Sequence, residues 1–257
     1  MRKWAVALSA LVLAACGGGG GGGTTAATTA GTTVTYEEVI AQIQALPAQE
    51  LSPSEIDTLL FVRQEEKVAR DTYATLSDKW PNLAILNEIA YFAPQHSEQN
   101  HMNVMKTLID KYAPLYENLY DPVEKMGDEV GVFENQVLQD RYEEFISCGS
   151  QSELDALYVG AYIEEMDLID LTNRVKQSDN EDIRLGIKFL REGSYRHLRA
   201  FVNWIESLGV TYEPQLLCKE DYEKIMQALQ NNDDLFNLEP TCSYPDVTEL
   251  PPPSRCR

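Results

Sequence analysis

Five residues of the types that bind metal ions interrupt apolar stripes of helical spacing. In chain order they are Glu66, Glu98, His101, Glu164 and His197. A helix bundle buries such stripes, and a buried carboxylate destabilises a fold unless it is protonated, paired or bound to a cation. Carboxylate oxygens together with imidazole nitrogens suit iron or manganese, and zinc also accepts them. The spacing therefore predicts a metal site where four helices meet.

The register of each helix separates expected ligands from their neighbours. Glu98 and His101 are three residues apart, so both lie on one helical face and both can reach one centre. Glu65 belongs to a stripe that is half polar, and the stripe of Glu165 is also less apolar than that of Glu164, which makes both residues poorer candidates for the core. We therefore expect Glu65 and Glu165 to support the ligands from the rim of the site.

The segments that carry these residues have the apolar spacing of α-helices, and the strict period-two alternation typical of strands is absent. Ser52-Pro53-Ser54-Glu55 is a strong helix start, with a Ser cap, Pro at the first position and Glu three residues after the cap. The predicted helices cover about residues 36–46, 53–79, a stretch ending near 112, 135–146, 152–176, 180–208 and 219–230. The predicted fold class is all-α, a four-helix bundle with extra short helices and a C-terminal tail.

The second long helix has the least regular pattern. Pro94 either begins its main part or kinks it, because proline lacks the N–H that a helix interior needs. His96 lies beside this proline and is expected at the surface. A long connection, residues 113–134, separates this helix from the next one.

Four stretches of the chain resemble the ferritin-like superfamily and, within it, bacterial ferritin-like domains of unknown function. They are EEKVARDTY at residues 65–73, SEQNHM at 97–102, GAYIEEMD at 160–167 and GSYRHLRAF at 193–201. The spacing Glu66-x-x-Ala69-x-x-x-Tyr73 is also similar to the first iron-binding helix of rubrerythrins. The resemblance covers residues 52–208 and implies a ferritin-like four-helix bundle, in which Tyr73 is expected to fill the core.

The resemblance implies a site for two ions of iron or manganese. Glu66 and Glu98 would be carboxylate ligands and His101 a nitrogen ligand, and Glu164 and His197 would complete the site from the other two helices.

One position departs from the family pattern. A second Glu-x-x-His would need an acid at position 194, where this chain has Ser194, which is expected only at the edge of the site. Asp167, one turn beyond Glu164, is placed to supply the missing carboxylate; otherwise the second ion binds weakly or the site holds one ion. Asp170 is expected to accept a hydrogen bond from a ligand imidazole.

Three functions are compatible with these residues. The resemblance implies a metal centre that reacts with oxygen or peroxide, in ferroxidase-like or peroxidase-like chemistry. Since no C-x-x-C motif of a rubredoxin is present, turnover would require an external electron donor. The first alternative is a non-catalytic metal-binding or partner-binding helical module. The second is a metal-free bundle in which the glutamates pair with arginines, the candidates being Arg63, Arg70, Arg196 and Arg199.

The N-terminal segment has the pattern of a bacterial lipoprotein leader. Residues 1–15 combine two basic residues with a short apolar stretch, and the following Cys16 resembles the lipidated cysteine of a lipobox. Gly17 after this cysteine is typical of sorting to the outer membrane. We therefore expect a membrane anchor through lipid on Cys16, in the bacterial envelope and facing the periplasm or the cell surface. A flexible glycine- and threonine-rich tether, residues 16–35, would precede the helical domain at 36–212 and a Cys/Pro-rich C-terminal part at 213–257.

Composition restricts the remaining choices. With 41 acidic and 21 basic residues the net charge is −20, which argues against nucleic-acid binding and against docking on anionic lipids. The four cysteines after the leader would form two disulfides in an oxidising compartment, with three pairings open. They are Cys148, Cys218, Cys242 and Cys256. We expect the tail to be held onto the body through its cysteine, while the sequence leaves the oligomeric state open.

Overall fold

The computed structural model describes residues 34–256, and every regular element in this range is helical. The all-α fold class is therefore confirmed. The predicted leader, Cys16 and nearly all of the predicted tether lie outside the described residues. Among the helices that are described, none combines the length and the apolar character needed to cross a membrane.

The helix boundaries follow the predicted ones within three residues, apart from the second long helix. The helices are α1 Tyr36–Ala45, α2 Pro53–Lys79, α3 Ala84–Asn87, α4 Glu98–Tyr112, α5 Pro122–Lys125, α6 Gln136–Gly149, α7 Glu153–Gln177, α8 Glu181–Ser207 and α9 Lys219–Asn231. A π-helical segment, Glu88–Phe92, follows α3, and single 3-10 turns lie at Ala113–Leu115, Val247–Glu249 and Ser254–Cys256. Helix α2 begins with the predicted capping box, since Ser52 and Glu55 exchange hydrogen bonds.

Helix α4 begins later than the sequence pattern indicates. Its cap is Ser97, whose hydroxyl accepts the N–H of Asn100 at 3.2 Å. Pro94 lies in the turn between the π-helical segment and this cap, so it neither begins the helix nor kinks it. As a result Glu98 is the first residue of α4, where the helix dipole stabilises a carboxylate, and not a mid-helix residue.

The apolar core consists of two clusters separated by a layer of polar side chains. The first cluster joins the N-terminal halves of α2 and α8 to the C-terminal halves of α4 and α7, as Leu59, Leu108 and Leu171 show. The second cluster joins the C-terminal halves of α2 and α8 to the N-terminal half of α7. Helices α2 and α8 therefore run in one direction, and α4 and α7 run in the opposite direction.

The chain returns along the bundle between α4 and α7, and this crossover covers one face of α2. Arg63 reaches Asp121 at 2.9 Å, and Arg70 reaches Asp128 at 2.6 Å. Lys67 donates to backbone carbonyls of the crossover, the shorter of these contacts being 2.7 Å. Three cations of α2 are therefore bound to the crossover, and α2 is buried on nearly all sides.

The C-terminal segment is part of the same packed body. Cys148 pairs with Cys256, and Cys218 pairs with Cys242, which is one of the three pairings that the sequence left open. The first pair joins the tail to the end of α6, as expected. The second apolar cluster includes Val247 of the tail.

Candidate metal centre

The first group of candidate ligands comes from α2 and the start of α4. Nδ1 of His101 lies 3.0 Å from Oε2 of Glu66 and 3.0 Å from Oε2 of Glu98. All three side chains are buried, and their ligand atoms lie within 4.8 Å of one another. An ion placed among these atoms would have two carboxylates and one imidazole around it.

The second group adds α7 and α8 and shares Glu98 with the first. Nδ1 of His197 lies 3.0 Å from Oε1 of Glu98 and 3.4 Å from Oε2 of Glu164. These atoms also lie within 4.8 Å of one another. Because each oxygen of Glu98 faces a different imidazole, this one carboxylate belongs to both groups.

The atoms of the second group approach one another without forming hydrogen bonds. Glu98 Oε1, Glu164 Oε2 and both ring nitrogens of His197 have no hydrogen-bond partner among the described residues, although their mutual distances are short. Such unsatisfied atoms are rare in a protein interior. A cation between them would satisfy the oxygens and one nitrogen at once, and a set of carboxylates and imidazoles suits iron or manganese. The residues present therefore fit the expected ions.

Charge coupling within the centre is strong. Burial opposes the charged form of His101, but the carboxylates of Glu66 and Glu98 raise its pKa to about 9. Burial raises the pKa of Glu66 to about 8, even though His101 acts in the opposite direction. Burial also opposes ionisation of Glu98, yet His197 and His101 hold the pKa of Glu98 below its ordinary value. Without metal, protonated imidazoles are therefore the cations that balance these acids, and metal binding must displace their protons.

Tyr73 fixes the orientation of one candidate ligand, Glu164. Its hydroxyl donates to Oε1 of Glu164 at 2.6 Å, which leaves Oε2 of the same carboxylate facing His197. Burial, followed by the nearby charge of Glu164, raises the pKa of Tyr73 well above its ordinary value, so the phenol keeps its proton. Tyr73 thus does more than fill the core, because it selects which oxygen of Glu164 points into the centre.

Comparison with known proteins places the chain among relatives. Residues 55–229 match the model of a family described as an uncharacterized protein domain, DUF2202. The chain belongs to the DUF2202 family. It is similar to the uncharacterized protein MJ0754 of Methanocaldococcus jannaschii, with 41% identity over 190 residues. The matched region makes up 74% of this chain and 96% of that protein. The crystal structure of the hypothetical protein MJ0754 from Methanococcus jannaschii is similar, with a TM-score of 0.64 and 42% identity over 71% of this chain and 97% of the other.

Two expected supporting residues of this DUF2202 protein form their hydrogen bonds with groups outside the centre. The hydroxyl of Ser194 donates to the carbonyl of Leu190 at 3.3 Å, as serine often does inside a helix. The carboxylate of Glu165 accepts the hydroxyl of Tyr212 at 2.6 Å and three backbone N–H groups of residues 215–217. Glu165 therefore holds the segment that follows α8, and neither side chain contributes an atom to the two ligand groups.

Asp167 lies at the edge of the two ligand groups. It is buried, and neither of its oxygens receives a hydrogen bond from a described residue. Burial and the charges of Glu65, Glu66 and Glu164 raise the pKa of Asp167 well above its ordinary value. The carboxylate is thus close enough to the centre to be affected by its charges, but it is not among the atoms that lie within 4.8 Å of one another. Its role as a ligand remains a prediction.

Glu65 and Asp170 face each other beside Asp167. Asp170 accepts the Nε–H of Arg174 and does not contact a ligand imidazole, contrary to the expectation for this residue. Burial, then the charge of Asp170, raises the pKa of Glu65 well above its ordinary value. The two carboxyls can form a hydrogen bond only when one of them holds a proton.

His96, which was expected at the surface, lies close to the metal centre. His96 is buried, with 6% of its surface exposed, and its ring stacks on Phe189 at a centroid distance of 4.5 Å. Its ring centroid lies 5.9 Å from that of His101, and neither nitrogen has a partner among the described residues. The expectation of an exposed His96 was wrong, because residues just before a helix cap follow no periodic pattern that reveals burial.

Proposed function

We propose that this DUF2202 protein is a ferritin-like metal protein whose bundle holds two ions, of iron or of iron and manganese, that react with oxygen or peroxide. The observation that carries the proposal is the arrangement around Glu98. Its two oxygens face two separate groups, each with one imidazole and one further carboxylate. A side chain that only made a salt bridge would not need two such groups.

Each ligand residue has a distinct task in this proposal. Glu66 and His101 would hold one ion and Glu164 and His197 the other, while Glu98 would contribute to both groups. Two redox-active ions held by these residues would supply the electrons for ferroxidase-like or peroxidase-like reduction of oxygen or peroxide. The apolar clusters on both sides of the polar layer keep bulk water out of the centre.

The balance of buried charge favours two ions over one. Six buried carboxylates lie in or beside the centre, namely Glu65, Glu66, Glu98, Glu164, Asp167 and Asp170. Arg174 is the guanidinium that contacts this set, and the two ligand imidazoles are neutral once they bind metal. Two divalent ions bring the interior close to neutrality, whereas one ion leaves several acids that must hold protons.

The salt-link alternative loses support because the candidate arginines are bound elsewhere. Arg63 and Arg70 pair with the crossover, and Arg196 pairs with Glu192 at 2.6 Å. Within residues 34–256 no ion pair joins any of these arginines to Glu66, Glu98 or Glu164, and the same holds for Arg199.

Metal analysis of the purified protein, together with a double variant Glu98→Ala/His101→Ala, tests the proposal. We expect two ions per wild-type chain and a loss of metal in the variant. Glu192→Ala is a matched control, because it also removes a buried carboxylate but not a ligand. Unchanged metal content in the double variant would refute the assigned site.

Reactivity distinguishes the catalytic proposal from its alternative. The wild-type chain, loaded anaerobically with Fe²⁺, is mixed with oxygen or peroxide while formation of Fe³⁺ is followed by absorbance. Rapid oxidation at the centre, absent in the double variant, supports the catalytic function. A chain that binds two ions but reacts no faster than free Fe²⁺ would instead be a non-catalytic metal-binding or partner-binding module.

The proposed location is the bacterial envelope, with lipid on Cys16 and an external electron donor. The leader pattern of residues 1–16 supports this location. Expression with a radiolabelled fatty acid tests it, since label should enter the wild-type protein and not a Cys16→Ala variant. Equal labelling of both proteins would contradict the anchor.

A further inference from the structure

Three buried carboxylates lead away from the metal centre towards the surface. Glu164, Asp167 and Asp170 follow one another at three-residue spacing on α7, so they lie along one face of this helix. Glu65 of α2 is buried and directly precedes the candidate ligand Glu66, and its carboxyl is within hydrogen-bonding reach of Asp170. Asp167, Glu65 and Asp170, here called the acidic path, therefore lead from the candidate ligands to Asp170.

The inner part of the acidic path lacks hydrogen-bond donors. Glu65 and Asp167 are each 1% exposed, and no N–H or hydroxyl of the described residues donates to any of their four oxygens, although the carboxyl of Asp170 lies within hydrogen-bonding reach of Glu65. A buried acceptor without a donor destabilises a fold, so such groups in a native protein call for an explanation. Neither side chain supports a helix cap or a loop, which contrasts with Glu165 and its four donors.

The outer end of the path opens into a surface pocket. Asp170 lines this pocket, whose volume is about 300 Å³, together with Asp57, Asp246 and Arg174. Since a water molecule occupies about 30 Å³, the pocket has room for a hydrated ion. Three aspartates against one arginine make the pocket negative, and a negative concave surface raises the local concentration of cations.

Arg174 lies where the acidic path meets the pocket and binds a carboxylate of each. Its Nε–H donates to Asp170, and its Nη1 lies 3.1 Å from Asp57. The guanidinium also rests on the ring of Phe61, with 4.5 Å between Cζ and the ring centroid. A divalent cation arriving in the pocket would compete with this guanidinium for the same carboxylates.

We propose that the pocket and the acidic path are the entry route for hydrated divalent cations, and that Arg174 is the displaceable counter-ion at its mouth. The inference rests on the proposed function, because a route requires a centre that takes up metal. Successive carboxylates replace the water ligands of the ion as it moves inward, since oxygen ligands suit hard divalent ions. The oxygens of Asp167, which have no partner among the described residues, and those of Glu65 are then available to a passing cation.

Uptake of Co²⁺ by the metal-free protein measures the route directly, because bound Co²⁺ has visible absorption that stopped-flow mixing can follow. We expect Asp170→Asn and Glu65→Gln to slow uptake by about tenfold or more, with two ions still bound at unchanged equilibrium affinity. Arg174→Gln should speed uptake. Glu192→Gln is the control, because Glu192 and Arg196 form the same i,i+4 pair as Asp170 and Arg174.

A surface variant keeps the test valid if the buried substitutions disturb folding. Asp57→Asn/Asp246→Asn changes two exposed side chains only, and it should slow uptake and reduce its dependence on salt. Uptake at the wild-type rate in this variant and in Asp170→Asn would overturn the route alone. Fewer bound ions or weaker affinity in Asp170→Asn would also overturn it, since Asp170 would then act at the centre. A wild-type chain that binds no Co²⁺ would overturn the proposed function, and the route with it.

Discussion

Two of the candidate ligands, Glu164 and His101, are each held in place by one neighbouring residue. Glu164 depends on Tyr73, whose hydroxyl occupies one of its oxygens at 2.6 Å. His101 depends on the absence of a side chain at Gly193, since a Cβ there would lie 2.2 Å from its Nε2. Both supports sit outside the ligand set, so substitutions there change metal binding without removing a ligand.

Tyr73→Phe should weaken the ion held by Glu164 and His197 by about 10- to 100-fold, because the free carboxylate can turn away from the centre. The ion held by Glu66 and His101 should be affected less. Titration calorimetry with Mn²⁺ measures both affinities. Tyr112→Phe is the matched control, because it removes a buried phenol that bonds Asp182 and not a ligand. Equal losses in the two variants would contradict this role of Tyr73.

Gly193→Ala should displace the ring of His101 and lower the amount of bound metal. The added Cβ would lie 2.2 Å from Nε2 of His101 and 3.0 Å from Nδ1 of His96. Gly186→Ala is the control, since its Cβ would meet Cδ1 of Leu108 at 2.9 Å, the end of a flexible side chain. Metal content and thermal unfolding of both variants check the prediction. Full metal content in Gly193→Ala would show that His101 is not held as described.

Metal affinity should rise with pH up to about pH 9. The pKa of His101 is raised to about 9 and that of His197 is raised well above its ordinary value, so both rings carry protons that metal must displace. The folding stability of the metal-free protein should change with pH in the opposite direction, falling as pH rises. The stabilisation from charged His101 is complete below about pH 6.5, the unfolded value, and is lost as pH rises through about 9.

Two measurements check these opposite signs. Calorimetry in buffers of different ionisation enthalpy should show protons released on metal binding near neutral pH, and thermal unfolding of the metal-free protein should occur at lower temperature near pH 9 than near pH 6.5. Metal binding without proton release would contradict the assigned protonation of the imidazoles.

At the scale of the elements, the helical spacing of apolar residues predicted the long helices and the polar residues that interrupt their buried faces. The capping box at Ser52 predicted the start of α2, and the stripes indicated the five candidate ligands that the structure brings together in two groups. The start of α4 was missed because Ser97 has Asn100, and not Glu or Gln, three residues later. Glu65 was not predicted as a buried acid because it lies on a half-polar face of α2, and such faces are normally exposed to solvent. Here the crossover covers α2.

The crossover should contribute strongly to stability through Arg63. Arg63→Ala leaves the buried carboxylate of Asp121 with two backbone N–H donors and, at 4.0 Å, Lys106, and removing one partner of a buried ion pair typically costs about 3–5 kcal/mol of unfolding free energy. Lys219→Ala is the control, because its pair with Glu223 is exposed and such pairs contribute about 0–1 kcal/mol. Denaturant unfolding measures both. Similar small losses would show that the crossover does not depend on this ion pair.

For the molecule as a whole, the polar layer is the weakest part of the core in the absence of metal. It separates two apolar clusters and places repelling carboxylates between all four long helices. Divalent ions bound there would link α2 and α4 to α7 and α8, so the native state and not the unfolded chain would bind them. The bundle is therefore expected to depend on metal for stability as well as for chemistry.

Mn²⁺ should accordingly raise the unfolding temperature of the metal-free protein. Each independent site adds about 2.7 kcal/mol when the free ion is at about 100 times its dissociation constant, and the gain should increase with Mn²⁺ concentration. Differential scanning calorimetry over a range of Mn²⁺ concentrations measures it, with the disulfides kept intact. Glu98→Ala/His101→Ala should show no such rise, while Glu192→Ala should respond as the wild type does. A rise of the same size in all three proteins would mean that Mn²⁺ acts elsewhere on this acidic chain and not at the layer that divides its core.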